Sequence, residues 1–242
     1  MSHQRMVYLI DRDLETRRSL SLHLASLGAE AWPFASGSEF LEIASHLTPA
    51  CILLDMDMPG TSGLDVMAEL ARRGIEWPVV AMSGCRDIGP AVEAMKRGAI
   101  DFLEKPVDMT VLAGALVPAL EALARMVEAQ EARRAAQERI ARLTAREVDI
   151  SLALFSGQAN KAVAHDFGIS VRTVEMHRAH IMAKLGVRSL AEAAVIATQA
   201  GLDLAPLLPQ PAQDYPGSGA PRGGRPGPAS APVFRFMPRS AL

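Results

Sequence analysis

The first 120 residues alternate short apolar runs with longer amphipathic ones, and this pattern predicts the fold. Runs such as CILLD and VVAMS are apolar without interruption, which is typical of strands buried on both faces of a parallel sheet. In the stretches between them, apolar residues recur at three- and four-residue spacing, as in helices. The pattern predicts five strands: Met6–Ile10, Ala29–Ala35, Cys51–Asp55, Val79–Ser83 and Asp101–Lys105.

Four helices are predicted between these strands. Three of them are followed by a glycine, which commonly ends a helix. Strands and helices that alternate in this way build right-handed βαβ units. Residues 1–120 are therefore predicted to form a doubly wound α/β domain with five parallel strands. The predicted helices are Leu14–Leu27, Ser38–Leu47, Gly63–Arg73 and Ile88–Arg97.

A continuous helical pattern follows from residue 108 to residue 143 and becomes highly charged. The apolar residues before Leu120 are predicted to pack on the sheet, and residues 121–143 are predicted to be an exposed helical linker. Pairing of this linker in a coiled coil is an open alternative, although the apolar seam fades at Gln130 and Arg134.

Residues 144–202 have the pattern of four short helices. Thr144 opens a capping box at the start of the first of them. A short helix over 160–167, a break at Gly168 and a polar-faced helix over 171–184 predict a helix-turn-helix. In such a unit the second helix enters the major groove of DNA.

Charge and composition limit the other possibilities. The formal net charge is −2, with sixteen acidic and ten basic residues in the first 120 positions. Binding to nucleic acid would therefore depend on a local surface. Two cysteines form neither a disulfide framework nor a zinc motif. Residues 203–242 are dense in Pro, Gly and Ala without periodicity, which predicts a disordered tail.

The N-terminus lacks the apolar segment of a signal peptide. No uninterrupted apolar stretch reaches the roughly 20 residues that span a bilayer. A cytoplasmic protein without a membrane segment is therefore expected.

Polar side chains lie at the predicted carboxyl ends of four strands, where open parallel sheets collect reactive groups. Asp11 follows the first strand, Asp55 and Ser83 end the third and fourth, and Lys105 ends the fifth. Carboxylates, a hydroxyl and an ammonium group suit phosphoryl transfer with a divalent cation, usually Mg²⁺.

The segments LIDRD, LLDMDMPGTSG, VVAMSG and AVEAMKRGAIDFLEKP occur in the order found in response-regulator receiver domains, which are CheY-like in fold. The resemblance covers about residues 5–120. It implies a phosphoacceptor, a phosphate-binding lysine before a cis-proline, a switch hydroxyl, a switch aromatic residue and a magnesium ligand through a backbone carbonyl. These would be Asp55, Lys105 before Pro106, Ser83, Phe102 and Asp57.

One position departs from the family pattern of two adjacent acids after the first strand. Here Arg12 stands where a second metal-binding acid is expected. Three interpretations are open: Asp13 shifts in as a ligand, Arg12 turns to solvent and leaves a weakened site at Asp11 and Asp55, or Arg12 pairs with Asp55 or Asp57. The last would make the receiver weakly phosphorylatable or independent of phosphorylation.

The segments LTAREVDI, GQANKAVAHDFGIS and VRTVEMHRAHIMAKLGVRSL resemble the DNA-binding domain of the LuxR/FixJ type over about residues 140–202. The resemblance implies DNA recognition by the helix 171–184. The candidates for base or phosphate contacts are Arg172, Thr173, Glu175 and Arg178, and those for phosphate contacts are Lys161, His177 and Lys184.

Together these features predict a DNA-binding response regulator without a separate enzymatic activity. The expected partners are double-stranded DNA, a sensor histidine kinase and a second copy of the chain, with RNA polymerase as a further candidate. A regulator that works independently of phosphorylation, because of Arg12, is the first alternative. The second is an adaptor whose helical bundle binds protein.

Overall fold

The computed structural model describes residues 5–84 and 88–204. The chain divides into two compact units, Met1–Ala129 and Gln130–Leu242. The predicted tail lies, from residue 205 onward, outside the described residues.

The first unit contains a five-stranded parallel sheet with the strand order β2-β1-β3-β4-β5. All residues of β3 and β4 are buried, as their uninterrupted apolar sequences predict. The sheet confirms the predicted doubly wound α/β class. The strands are β1 Met6–Ile10, β2 Glu30–Phe34, β3 Cys51–Asp55, β4 Val79–Ser83 and β5 Asp101–Glu104.

Helices cover both faces of this sheet. One core contains Tyr8, Phe40 and Leu54, and the other contains Leu9 and Leu53 on the opposite face. Most boundaries agree with the sequence pattern to within a residue or two, but the second helix ends early and a short 3-10 turn, Ala44–His46, follows it. The helices are α1 Leu14–Ser26, α2 Gly37–Ile43, α3 Gly63–Arg72 and α4 Ile88–Lys96.

The fifth helix is α5 (Met109–Ile140), and it includes most of the residues of the predicted linker. Most residues of the predicted linker are exposed or partly exposed, but Leu123 is buried. Further along, Ala136 is buried in the core of the second unit, and Ile140 packs against that core. These two buried positions are isolated among exposed and partly exposed residues, many of them charged, so the sequence pattern did not indicate them.

By length and composition α5 could also cross a bilayer. A core helix passes the same test, and the apolar residues on one side of α5 pack on the sheet. They are Leu112, Ala115, Leu116 and Ala119.

The second unit joins the end of α5 to four helices, as predicted. Ile150, Val163 and Val174 lie in its core, together with Ile181 and Leu185. The helices are α6 Ala145–Phe155, α7 Asn160–Asp166, α8 Val171–Leu185 and α9 Leu190–Gln199.

Candidate functional site

The four polar residues predicted at the strand ends meet at one edge of the sheet. Asp11, Asp55 and Ser83 are at most 1% exposed. The ammonium nitrogen of Lys105 lies 2.7 Å from Asp11 Oδ2 and 3.0 Å from Asp55 Oδ1. The peptide bond between Lys105 and Pro106 is cis, as the resemblance implied. The parallel strands thus bring two carboxylates, a hydroxyl and an ammonium group together.

Burial dominates the electrostatics of Asp55. It raises the pKa of the Asp55 carboxyl, against the lowering effects of the hydrogen bond from the Asp57 amide and of the Lys105 ammonium. Asp11 Oδ2 accepts no well-directed hydrogen bond from the described residues, so its contact with Lys105 is mainly electrostatic. Both carboxylates therefore depend on one cation for compensation of their charge.

The Asp57 side chain binds Ser83, a contact that the sequence did not predict. Its Oδ2 accepts hydrogen bonds from Ser83 Oγ at 2.6 Å and from the Gly84 amide at 3.0 Å. Its own amide donates to Asp55 Oδ1 at 3.0 Å. The second acid of the segment DMD was the available signal, but only the fold shows that it reaches the hydroxyl at the end of β4.

The three interpretations of Arg12 can be compared with the structure. Arg12 is exposed and makes no ion pair within residues 5–84 and 88–204, so the predicted pairing with Asp55 or Asp57 is not found. Asp13 caps α1 by accepting from the Thr16 amide at 2.7 Å, and this bond lowers the pKa of its carboxyl. This arrangement matches the second interpretation, in which Arg12 turns to solvent.

A second arginine near the site, Arg17, was also missed. One of its guanidinium nitrogens donates to the backbone carbonyl of Asp11 at 2.6 Å. This bond ties α1 to the loop that presents the Asp11 carboxylate.

The loop after Asp55 is held by close packing. Ser62 and Asp65 form a capping box at the start of α3. A Cβ on Gly63 would come within 2.8 Å of the Asp55 carbonyl oxygen and of Met56 Cα. Glycine at position 63 therefore lets α3 begin directly against the backbone of the phosphoacceptor candidate.

The donor set suits a magnesium site with few protein ligands. Magnesium is commonly held by one or two carboxylates and retains several waters. Asp11 and Asp55 supply two carboxylates, and Asp57 can add a carbonyl. No cluster of three or more potential ligand side chains occurs in the described ranges. Two carboxylates and a carbonyl are nevertheless sufficient for an ion that retains most of its waters, although the site has one acid fewer than the family pattern.

The helix-turn-helix of the second unit is formed by α7 and α8. Gly168 ends α7 with a φ of +64°, a left-handed conformation that favours glycine. Ser170 caps α8 by accepting from the Thr173 amide. Arg146 of α6 donates to the Phe167 carbonyl at 2.8 Å and lies over the Phe167 ring. These contacts hold the turn between α7 and α8 and so set the orientation of α8 relative to α7.

Most of the predicted DNA-contacting residues lie on the accessible surface of α7 and α8. Lys161, Arg172 and Glu175 are exposed, whereas Thr173, His177 and Arg178 are partly exposed.

Lys184 differs from this set. Its ammonium nitrogen lies 2.6 Å from Oε2 of Glu147, which is 5% exposed. The hydrogen bond from Lys184 is the main cause that lowers the pKa of Glu147 to about 2. The structure thus places the Lys184 ammonium in an ion pair between α6 and α8.

Comparison with known families matches both units of the chain. The response regulator receiver domain matches residues 7–117. The family of bacterial regulatory proteins of the luxR type matches residues 141–197.

Similar proteins extend over most of the chain. The transcriptional regulatory protein FixJ of Azorhizobium caulinodans is 41% identical over 196 residues, which are 81% of this chain and 93% of FixJ. The tetrathionate response regulatory protein TtrR of Salmonella typhimurium is 37% identical over 77% of this chain and 88% of its own length. The structure of the response regulator StyR matches with a TM-score of 0.71 and 35% identity, over 80% of this chain and 98% of StyR. Full-length FixJ from B. japonicum matches with a TM-score of 0.51 and 32% identity, over 83% of this chain and 99% of that chain. The chain therefore belongs to the two-component response regulators that join a receiver domain to a DNA-binding domain of the luxR family.

Proposed function

We propose that the chain regulates transcription in response to phosphoryl transfer from a sensor histidine kinase to Asp55. The observation that carries this proposal is the convergence of Asp11, Asp55 and Lys105, in which one ammonium group lies within 3.0 Å of both buried carboxylates. Buried like charges are costly unless they are compensated. Buried, interacting ionisable groups of this kind are concentrated at functional sites.

In the proposed reaction, an Asp55 carboxylate oxygen forms a bond to phosphorus while the bond from phosphorus to the donor's histidine nitrogen breaks. Lys105 then binds the new phosphoryl oxygens. A magnesium ion at Asp11, Asp55 and the Asp57 carbonyl would neutralise part of the charge on those oxygens. The Ser83 hydroxyl, now bonded to Asp57, would turn to the phosphoryl group, and Phe102 on β5 would repack.

Dimer formation is the proposed consequence of this change. Helix α4, next to β5 in the receiver, carries an exposed apolar row of Ile88, Val92 and Met95 at four- and three-residue spacing. Ile88 is 74% exposed. A second copy of the chain would cover this row, bringing two helix-turn-helix units to one stretch of double-stranded DNA.

DNA binding in the proposal uses the exposed face of α8, with Lys161 at the start of α7. Residues 144–202 carry six basic and five acidic residues, so a single copy has little net attraction to DNA. Two copies together would double the number of phosphate contacts. A cytoplasmic location, and contact of the bound dimer with RNA polymerase, belong to the same proposal.

The proposal is tested with the full chain, a small phosphodonor and Mg²⁺. Phosphate-affinity electrophoresis measures modification, and light scattering measures the dimer fraction. The natural chain should be modified and should dimerise, and Asp55→Asn should do neither. If modification persists in Asp55→Asn, Asp55 is not the acceptor.

The second candidate is a regulator that is independent of phosphorylation, and two observations favour it. Arg12 replaces an acid next to the site, and Asp13 already caps α1. Under this candidate the natural chain would stay unmodified while Arg12→Asp would be modified. Arg18→Asp is the matched control, because Arg18 is another exposed arginine near the start of α1. If Arg18→Asp has the same effect, the cause is general charge and not the metal site.

A further inference from the structure

The outward side of α8 is less charged than its sequence suggests. Positions 172, 176, 179 and 183 are spaced by three or four residues and form one line along the helix. Beyond Arg172, this line consists of a methionine and two alanines, all exposed. The exposed residues of α8 beyond its first turn are Glu175, Met176, Ala179, His180 and Ala183.

Met176 is 49% exposed, although the core positions of α8 are already filled by other apolar residues. A single exposed apolar side chain is common on protein surfaces and is not a site by itself. Here, however, Met176 lies in one shallow depression together with Ser170, Arg172, Thr173 and Glu175. Arginine, threonine and glutamate are residue types that read base edges in the major groove.

The one apolar group that B-DNA presents in the major groove is the 5-methyl group of thymine. Methionine is flexible and polarisable, so it adapts well to such a group. Ala179, one turn after Met176, is small and lets the helix approach the groove closely. Arg178, in contrast, is only partly exposed and lies beside this line, a position suited to a phosphate.

We propose that Met176 is a specificity-determining residue that contacts the 5-methyl group of a thymine in the bound DNA. The inference rests on the proposed DNA-binding function and adds the base that the helix selects. Arg172 and Glu175, which line the same depression, would read the polar edges of the neighbouring base pairs.

The test begins with selection of binding sites from a library of random duplexes by the full natural chain, treated with a small phosphodonor and Mg²⁺. Each thymine in the selected site is then replaced by deoxyuridine, which removes only the 5-methyl group. Affinities are measured for the natural chain, Met176→Ala and Met176→Leu. Val195→Ala is the control, because Val195 is a 56% exposed apolar residue on α9.

The expected result is one thymine at which deoxyuridine weakens binding of the natural chain about fourfold, as for the loss of one buried methyl group. Met176→Ala should remove this difference, while Met176→Leu and Val195→Ala should retain it. If the difference is unchanged in Met176→Ala, or absent at every thymine, the inference is overturned while DNA binding stands. If the library yields no preferred sequence, the proposed function itself fails.

Discussion

A substitution at Lys184 can show whether this basic residue of α8 stabilises the fold, through its ion pair with Glu147, or contacts DNA. The proposed change is Lys184→Met, which keeps much of the side-chain volume and removes the charge. Glu147, 5% exposed, would then remain as a buried carboxylate whose strongest partner is gone. Lys161→Met is the matched control, because Lys161 is an exposed lysine on the surface of α7.

The expected cost follows from the burial of the pair. Removal of one partner of a fully buried ion pair costs about 3–5 kcal/mol. Lys184 is 37% exposed, so water can approach Glu147 once the lysine is gone, and we expect a loss of about 2 kcal/mol. Lys161→Met is expected to change the free energy of unfolding by less than about 0.5 kcal/mol.

The pH dependence has a definite sign. The pKa of Glu147 is lowered from 4.5 to about 2, so the pair stabilises the fold above pH 4.5 and loses its effect as the pH falls towards 2. The stability difference between the natural chain and Lys184→Met should therefore be full at neutral pH and shrink in that acid range.

Urea unfolding measures the stability, and DNA affinity at several salt concentrations counts the phosphate contacts. A lost phosphate contact reduces the slope of log affinity against log salt by about 1. We expect this reduction for Lys161→Met and not for Lys184→Met. The reasoning is refuted if Lys184→Met keeps the natural stability and reduces the salt slope as much as Lys161→Met does.

Three further predictions concern the receiver. Burial raises the pKa of Asp55, so its ionisation destabilises the fold as the pH rises through that pKa. Asp55→Asn should therefore raise the melting temperature at pH 7, and raise it less at pH 4. Gly63→Ala should lower the free energy of unfolding in urea by about 2 kcal/mol through overlap with backbone, whereas Gly114→Ala, in open space on α5, should raise it slightly. Asp57→Ala removes the carboxylate that competes with a phosphoryl group for the Ser83 hydroxyl, so the phosphorylated fraction at a limiting phosphodonor concentration should rise about fivefold in phosphate-affinity electrophoresis.

The sequence was sufficient for the strands and for the residues at their ends. A short, uninterrupted apolar run such as Cys51–Asp55, bounded by polar segments, favours a buried strand, and strand order then carries Asp11, Asp55 and Lys105 to one edge. The sequence was insufficient where a residue's partner comes from a distant part of the chain. Nothing local distinguishes Lys184, which pairs with Glu147, from the exposed Lys161.

The same limit applies to Ala136, the buried residue near the end of α5. Ala136 lies between Ala135 and Gln137 in a stretch with many charged residues, and it gives no periodic apolar signal. Ala136 is buried because helices of the second unit pack against it. Those helices come from later parts of the chain, and the local spacing of apolar residues around Ala136 carries no information about them.

In the loop after β1, one hydrogen bond in the structure bears on whether Asp13 can serve as a metal ligand, a question that the sequence motif leaves open. From the sequence alone, Asp13 could replace the missing acid at position 12. In the structure its carboxylate caps α1, a contact typically worth about 1 kcal/mol, which ligation of a metal would forfeit. The Asp13 amide also donates to Asp11 Oδ1 at 2.8 Å, which holds the backbone of the loop in place. A metal bound here would therefore depend on Asp11 and Asp55, and Arg12 would weaken it through charge repulsion and not through occupation of the site.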